Sequence, residues 1–417
     1  MNWKALVVAV TLVVSAAGTP VAAATAANTG QQTSGQVQTG TYVSFEATDD
    51  AVVDYTVNGK TVVDSMSVQS TSEAKSQSSG GLGLGGSVFA GAGLSVANTF
   101  SADASTQATI QAESGAEIVT HDNDRGIVVV TSNGESHVAR FNGTDDSEAE
   151  KESEKRAVIT NDDGATATVI VVGDGNVTVS DSGNVTAMAE EDGRVVYRQY
   201  EGERSDSEKQ QERMIANGTA VAEVYVQAAG DAASEAGDDD STPTATDTAT
   251  ATPTEAPSEE ARERSADVVR YSEDTTVEVT ENAAGTFNAT VERSQSEGKV
   301  VIMSVSEAAF EGAESAEDLE VYVDGEAAAQ AESYSALKAA TNDGDTSKYL
   351  VRSSSSAQAS SDVVVGINHF SERQVSMQSD GGSDDGGSTE SGGQPGFGVG
   401  IAVVALVGAA LLARRQR

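Results

Sequence analysis

Residues 157–200 read AVITNDDGATATVIVVGDGNVTVSDSGNVTAMAEEDGRVVYRQY. Short runs of Val, Ile, Thr and Tyr alternate here with NDDG, GDGN, DSGN and EDG. Branched and aromatic side chains fit a pleated, half-buried surface, and Asp, Asn and Gly supply the turns between such runs. The spacing predicts strands over 157–160, 165–172, 177–180, 185–189 and 194–200. It suits a meander, a sandwich or a β-solenoid. The GNVT of 175–178 recurs at 183–186, and two copies are too few to define a repeat protein.

Upstream, Val53, Tyr55 and Val57 alternate with polar neighbours, Asn58-Gly59 supplies a turn that needs positive φ, and 62–68 resumes the alternation. That is the pattern of a hairpin. Downstream, 203–217 has helical spacing and closes at Asn217-Gly218, after which a strand over 219–226 is expected to return to the same sheet. Residues 241–260, STPTATDTATATPTEAPSEE, hold three of the five prolines and many threonines, the composition of an extended stalk. Beyond it, 267–271, 275–280, 286–292, 299–306 and 319–323 read as strands. A helix over 326–340 and strands near Tyr349 and over 362–368 follow. The fold class expected is mainly β, with two β-rich extracellular domains, 39–229 and 266–375, a few short helices, and a disordered Thr-rich linker over 230–265. Aromatic residues make up only 4% of the chain, so Val, Ala, Ile and Leu must build the cores.

Sixty-five acidic residues against 25 Lys and Arg give a formal charge of -40. Self-repulsion of that size opposes compaction in dilute buffer. At molar salt the screening length falls to ~3 Å and the repulsion is largely removed, so the composition fits a hypersaline exterior. It also excludes nucleic acid and anionic lipid as attractive partners. Cysteine is absent, which removes disulfides and thiolate metal sites.

Sites of chemistry are weakly represented. GLGLGG at 81–86 satisfies G-x-G-x-x-G, but no apolar strand leads into it over 70–79, and the longer run 80–96 reads as a glycine-rich strand pair or loop. His121, His137 and His369 are scattered, without the H-E-x-x-H spacing of zinc sites. The Asp-Asn-Asp of 122–124, the Asn-Asp-Asp of 161–163 and the Asp-Gly-Asp of 343–345 lack the complete calcium-loop spacing, and turn chemistry explains them. There is no G-x-S-x-G elbow, and with so many acids a pair of carboxylates at any spacing carries no information. The mixed-charge stretch 145–156 reads as a solvated loop or short helix with a local Glu152 to Arg156 pair. No cofactor and no metal is expected.

The two ends carry addresses. Lys4, the apolar 5–14 and the small residues of 22–26 make a secretory signal peptide over 1–26. At the other end a polar Gly/Ser/Asp spacer over 376–394 precedes Pro395-Gly396-Phe397, an apolar run over 398–413 and three arginines among the last four positions. The run has 16 residues, just under the ~17 needed for a spanning helix. Tripeptide, apolar run and basic end, over 395–417, resemble the PGF-CTERM signal of haloarchaeal surface proteins, which archaeosortase A recognises. The resemblance implies an archaeosortase-type processing partner, removal of the tail at Pro395, Gly396 and Phe397, and a lipid on the new end. The unprocessed alternative is a single transmembrane helix.

Five N-x-T sequons, at Asn142, Asn176, Asn184, Asn217 and Asn288, are candidate N-glycosylation sites in an exported chain. The expected function is that of a cell-surface structural or interaction glycoprotein, with other envelope proteins or glycans as partners. An adhesin or ligand-binding module is the alternative, and an extracellular hydrolase the third.

Overall fold

The strand over Thr166–Val172 buries all seven of its side chains. A strand with both faces covered belongs inside a stack of layers rather than on one side of a sandwich. The computed structural model describes residues 35–77, 93–100, 105–132, 134–228, 264–283, 286–306, 318–354, 360–370 and 372–379, and it arranges them in four sheets.

The first sheet has seven strands in the order β1 (Gln36–Thr39), β2 (Val43–Ala47), β3 (Val52–Val57), β4 (Lys60–Ser70), β9 (His137–Gly143), β14 (Val185–Ala189) and β13 (Gly175–Val179). The second has eight, ordered β10 (Glu148–Ser153), β11 (Arg156–Thr160), β12 (Thr166–Val172), β15 (Arg194–Tyr200), β8 (Val128–Ser132), β7 (Ala116–His121), β6 (Gln107–Ala112) and β5 (Leu94–Asn98). The third has six, ordered β17 (Arg264–Arg270), β16 (Ala220–Ala228), β20 (Glu297–Ser306), β25 (Ser360–His369), β24 (Lys348–Ser353) and β23 (Ala329–Gln330). The fourth has five, ordered β18 (Thr275–Ala283), β19 (Thr286–Arg293), β26 (Glu372–Ser379), β21 (Leu319–Val323) and β22 (Glu326–Ala327). Helices α1 (Thr71–Gln77), α2 (Asp206–Ala216) and α3 (Tyr334–Asp343) complete the described elements.

Three apolar layers hold the sheets together. Val169 and Val171 of β12 pack with Phe45, Tyr55 and Phe141 between the first and second sheets. Their neighbours Ile170 and Val172 point the other way, into a layer with Ile302 of β20, Val364 of β25, Ile215 of α2 and Leu337 of α3. Val301, Met303 and Val305 then face Phe287, Val321 and Met377 between the third and fourth sheets. Strict alternation of direction along each strand makes the second and third sheets apolar on both faces.

The Asn58-Gly59 hairpin forms as the sequence dictates: Val57 pairs with Lys60, and both turn residues have positive φ, 50° and 72°. Strands β11 to β15 lie where the turn spacing put them. They do not form a simple meander, because the β13–β14 hairpin adds to β9 in the first sheet while β12 and β15 pair directly in the second. The mixed-charge 145–156, expected as a loop or short helix, is instead edge strand β10 and its turn into β11. Its side chains are mostly exposed, so no alternation marked it as a strand. The helix expected over 326–340 starts only at Tyr334, where the Ser333 side chain accepts from the Ala336 N–H and caps the first turn; residues before it form β22 and β23. The spacer expected from 376 begins later, because β26 runs to Ser379 with Val375 and Met377 turned into the core.

β16 was expected to return to the sheet that precedes it. It lies in the third sheet instead, antiparallel to β17 and parallel to β20. Ala228 pairs with Arg264, so the segment read as a linker leaves and re-enters the fold at one strand end. The short links 271–274, 294–296 and 370–371 all join the third and fourth sheets at the opposite end. Ala228, Arg264, Ser306, Ser360 and Ser379 therefore share one end of these two sheets. The signal segment 1–26, most of 230–265, residues 78–92 of the glycine-rich stretch, and the tail beyond 379 lie outside the described residues.

Candidate functional site

The layer between the second and third sheets is the most chemically loaded part of the described structure. Strand parity puts Arg198 and Tyr200 of β15, Glu223 and Tyr225 of β16, and Asp362 of β25 on faces that look into it. Arg198 is wholly buried and donates from Nη2 to Glu223 Oε1 at 3.0 Å. Tyr225 and Tyr271 donate to the same carboxylate at 2.8 and 2.6 Å. The β7–β8 turn delivers Arg125, 2% exposed, whose Nη1 reaches Glu208 at 3.1 Å and whose Nη2 reaches Asp362 at 3.1 Å. Gln211 Nε2 donates to Asp362 at 2.7 Å.

Glu208 also belongs to the S-x-x-E box that starts α2. The Ser205 hydroxyl accepts from the Glu208 N–H, while Glu208 accepts from the Ser205 N–H at 2.7 Å. A helix-starting motif thus aims a carboxylate at a buried guanidinium. Burial pushes the Asp362 carboxyl up, and Arg125 offsets only part of that rise. Arg125 and Arg198 are held firmly protonated: burial disfavours their charge, and Asp362 and Glu223 respectively outweigh it.

A second set sits one turn further along the same face of α2. Arg204 binds Glu212 at 2.7 Å and Glu152 at 2.5 Å, and Arg156 binds Glu152 at 2.7 Å. Burial pushes Glu152 up, but the two guanidiniums hold it below the usual carboxylate range. A third set surrounds Asp267 of β17, which takes bonds from His121 Nδ1 at 2.9 Å and Asn123 Nδ2 at 2.8 Å. Burial raises this carboxyl, and His121, Asn123 and Gln107 more than reverse the rise. Asp122 accepts the backbone N–H groups of Thr41, Tyr42 and Val43 at 2.6 to 2.9 Å; burial nevertheless raises it.

These contacts neutralise charge inside the protein and do not converge on an open cleft. A shallow depression lies between α2 and α3, lined by Asp206, Ser207, Gln210, Arg213, Tyr334 and Arg352. Tyr334 Oη lies 2.7 Å from Ser207 Oγ, and the Arg352 guanidinium lies over the Tyr334 ring. Among the described residues no group of three or more His, Cys, Asp and Glu is placed to hold a metal ion.

Sequence reasoning treated the Asp-Asn-Asp of 122–124 as turn chemistry, and it did form a turn, but a buried one that docks β7–β8 onto the third sheet. His121 is a satisfied core residue. His137 is buried with Nδ1 3.2 Å from Ser132 Oγ, and His369 is exposed. Arg198, Glu223 and Asp362 were missed. The signal was a single charge inside VVYRQY, AVAEVYV and SDVVV, since a charge within a strand buried on both faces must find a buried partner.

The sequons differ in access. Asn217 is exposed at the C-terminus of α2, with its side-chain Oδ1 accepting from the Thr219 N–H at 3.0 Å. Asn142 is half-buried and donates to Ser65 Oγ at 2.8 Å. Asn176 and Asn288 lie half-buried within β13 and β19, and Asn184 lies half-buried in the turn before β14.

Pro395, Gly396 and Phe397 lie beyond the described residues, so comparison with known proteins decides the tail. Residues 394–416 match the PGF-CTERM motif. This is the C-terminal sorting signal of secreted, cell-surface proteins that archaeosortases process and anchor to the membrane. The chain matches no curated protein. No described helix is long and apolar enough to cross a membrane, and the apolar run 398–413 lies outside the described residues.

Proposed function

We propose that this chain is an envelope-associated structural or interaction glycoprotein of a halophilic archaeon, held to the membrane through its processed C-terminus, with residues 35–379 on the extracellular side. The observation that carries the reading is the motif match at 394–416. The charge of -40 supports the saline exterior. Two carboxyls that burial raises, Asp122 and Asp362, are themselves buried between layers, which supports a structural rather than a catalytic role. The described fold ends at Ser379, and the 15 residues between it and the tripeptide reach at most roughly 50 Å.

Intact mass of the native protein, before and after deglycosylation, tests this. Loss of both ends with lipid and glycan increments supports it, and a mass that retains 398–417 refutes the processing. Replacing Pro395-Gly396-Phe397 by three alanines is expected to leave an unprocessed form of lower mobility. Asn217 is the first glycan site to examine, by Asn217→Gln. An adhesin or ligand-binding module is the second reading, favoured by the depression at Tyr334 and Arg352; binding of a glycan or surface protein at high salt that Arg352→Ala abolishes would establish it.

A further inference from the structure

The depression between α2 and α3 runs against the charge of the chain. With 65 acidic residues against 25 Lys and Arg, a guanidinium has carboxylates to choose from, and Arg125, Arg156, Arg198, Arg204 and Arg293 each hold one. Arg213 and Arg352 both line the depression, and neither holds a carboxylate among the described residues.

Asp206, Gln210 and Arg213 are spaced i, i+4, i+7, so they share one face of α2 and form one wall together with Ser207. That wall runs about 10 Å along the helix. Asp206 sits in the first turn, where the helix dipole favours an acid. The Arg213 side chain is exposed, and its donors meet no described acceptor. Tyr334, the first residue of α3, and Arg352 of β24 form the other wall. The Tyr334 hydroxyl lies 2.7 Å from Ser207 Oγ, and the Arg352 guanidinium lies over the Tyr334 ring. Arg352 donates to the carbonyls of Val351 at 2.8 Å and Glu332 at 3.4 Å, contacts that hold its guanidinium in place without neutralising it. The open space between the walls is about 590 Å³, within the size range of small-ligand sites.

On the ligand-binding reading given above, we propose that this depression takes an acidic oligosaccharide, with sugar carboxylates on Arg213 and Arg352 and ring hydroxyls on Asp206, Ser207 and Gln210. Guanidiniums on two opposing walls suit a chain that repeats its anionic group, and a carboxylate matches the guanidinium fork with two parallel hydrogen bonds. Asp206 and Gln210 offer acceptors for hydroxyl protons. An acidic peptide, with carboxylates but few hydroxyls, leaves those acceptors unmatched. Fork contacts of this kind are made within the ~3 Å screening length of molar salt, so they persist where long-range attraction is lost.

Equilibrium dialysis of the mature protein in molar potassium chloride tests the site with tri-galacturonate, its neutral methyl ester and tri-glutamate. Tri-galacturonate is expected to bind at least tenfold more tightly than either of the others, which is about the effect of one lost charge-assisted contact. Arg213→Gln and Arg352→Gln are each expected to weaken it at least tenfold. Melting temperature should stay unchanged in Arg213→Gln, because that side chain holds nothing in the fold. If the methyl ester bound equally well and Arg352→Gln still abolished binding, the acidic class would be wrong while the ligand-binding reading stood. Preference for tri-glutamate would overturn the proposal in favour of an acidic peptide. No binding of tri-galacturonate, or binding unchanged in both arginine variants, would overturn it outright.

Discussion

Ile302→Ala probes the layer that joins the second and third sheets. Ile302 is fully buried in β20 and packs in the layer that also contains Ile170 and Val196 of the second sheet and Ile127 of the β7–β8 turn. Truncating a buried Ile to Ala costs about 2 to 5 kcal/mol, and about 3 is a fair value for a site walled by β-strands. The consequence for melting depends on how much of the chain unfolds together. Unfolding entropy near 60 °C is ~2.1 cal/mol/K per residue, so about 270 described residues melting as one unit carry about 0.6 kcal/mol/K, and the variant melts about 5 °C lower. If residues 220–379 melted alone, about 100 described residues would carry about 0.2 kcal/mol/K and the drop would be about 13 °C. Differential scanning calorimetry in molar salt reads the difference directly. The layered packing predicts one endotherm, displaced by about 5 °C. Two endotherms, with only one displaced and by the larger amount, would refute the continuity of the stack.

Because Ala228 pairs with Arg264, replacing 229–263 by Asn-Gly is expected to preserve the β circular dichroism and to raise stability by about 2.5 kcal/mol at most through the shorter loop; loss of the sheet signal would contradict the pairing. Arg125→Met leaves Glu208 and Asp362 without their shared cation and should cost about 3 to 5 kcal/mol, and adding Asp362→Asn should restore part of it. Additive losses in that double variant would show that the two groups do not interact. Burial holds the His137 imidazole below its ordinary 6.5, so the unfolded chain takes up a proton first; stability is therefore full above 6.5 and falls as pH drops from there towards the folded value. The slope should vanish in His137→Gln, measured by melting temperature between pH 7 and 5.

The local elements were legible because their determinants are local. Asn58-Gly59 can take positive φ, Ser205 and Glu208 cap α2 reciprocally, and the turns between β11 and β15 are spelled out in Asp, Asn and Gly. What was not legible was which sheet each strand joins. Ala220–Ala228 looks the same whether it pairs with what precedes it or with β20, since only the packing partner differs. One signal was present and went unused. The runs VIVV at 169–172, VVIM at 300–303 and VVV at 363–365 do not alternate, and a strand apolar on both faces asks for a layer on each side. Three such runs, drawn from both sides of the Thr-rich segment, implied a shared interior. The exposed strand β10 failed in the opposite sense, because charged residues on both faces resemble a loop. Strand β26 was not read at all, because Gln and Ser at its outward positions merge with the polar spacer that follows.

The position of β26 bears on how the molecule responds when its tether is pulled. It lies in the middle of the fourth sheet, antiparallel to β19 on one side and to β21 on the other, and the chain leaves from its last residue, Ser379. A pull on Ser379 directed along the strand axis acts on a strand paired on both sides. Both rows of hydrogen bonds are loaded together in shear, where a strand at an edge pulled sideways would open one bond at a time. Pulled in that direction, β26 gives way only by sliding past two neighbours at once.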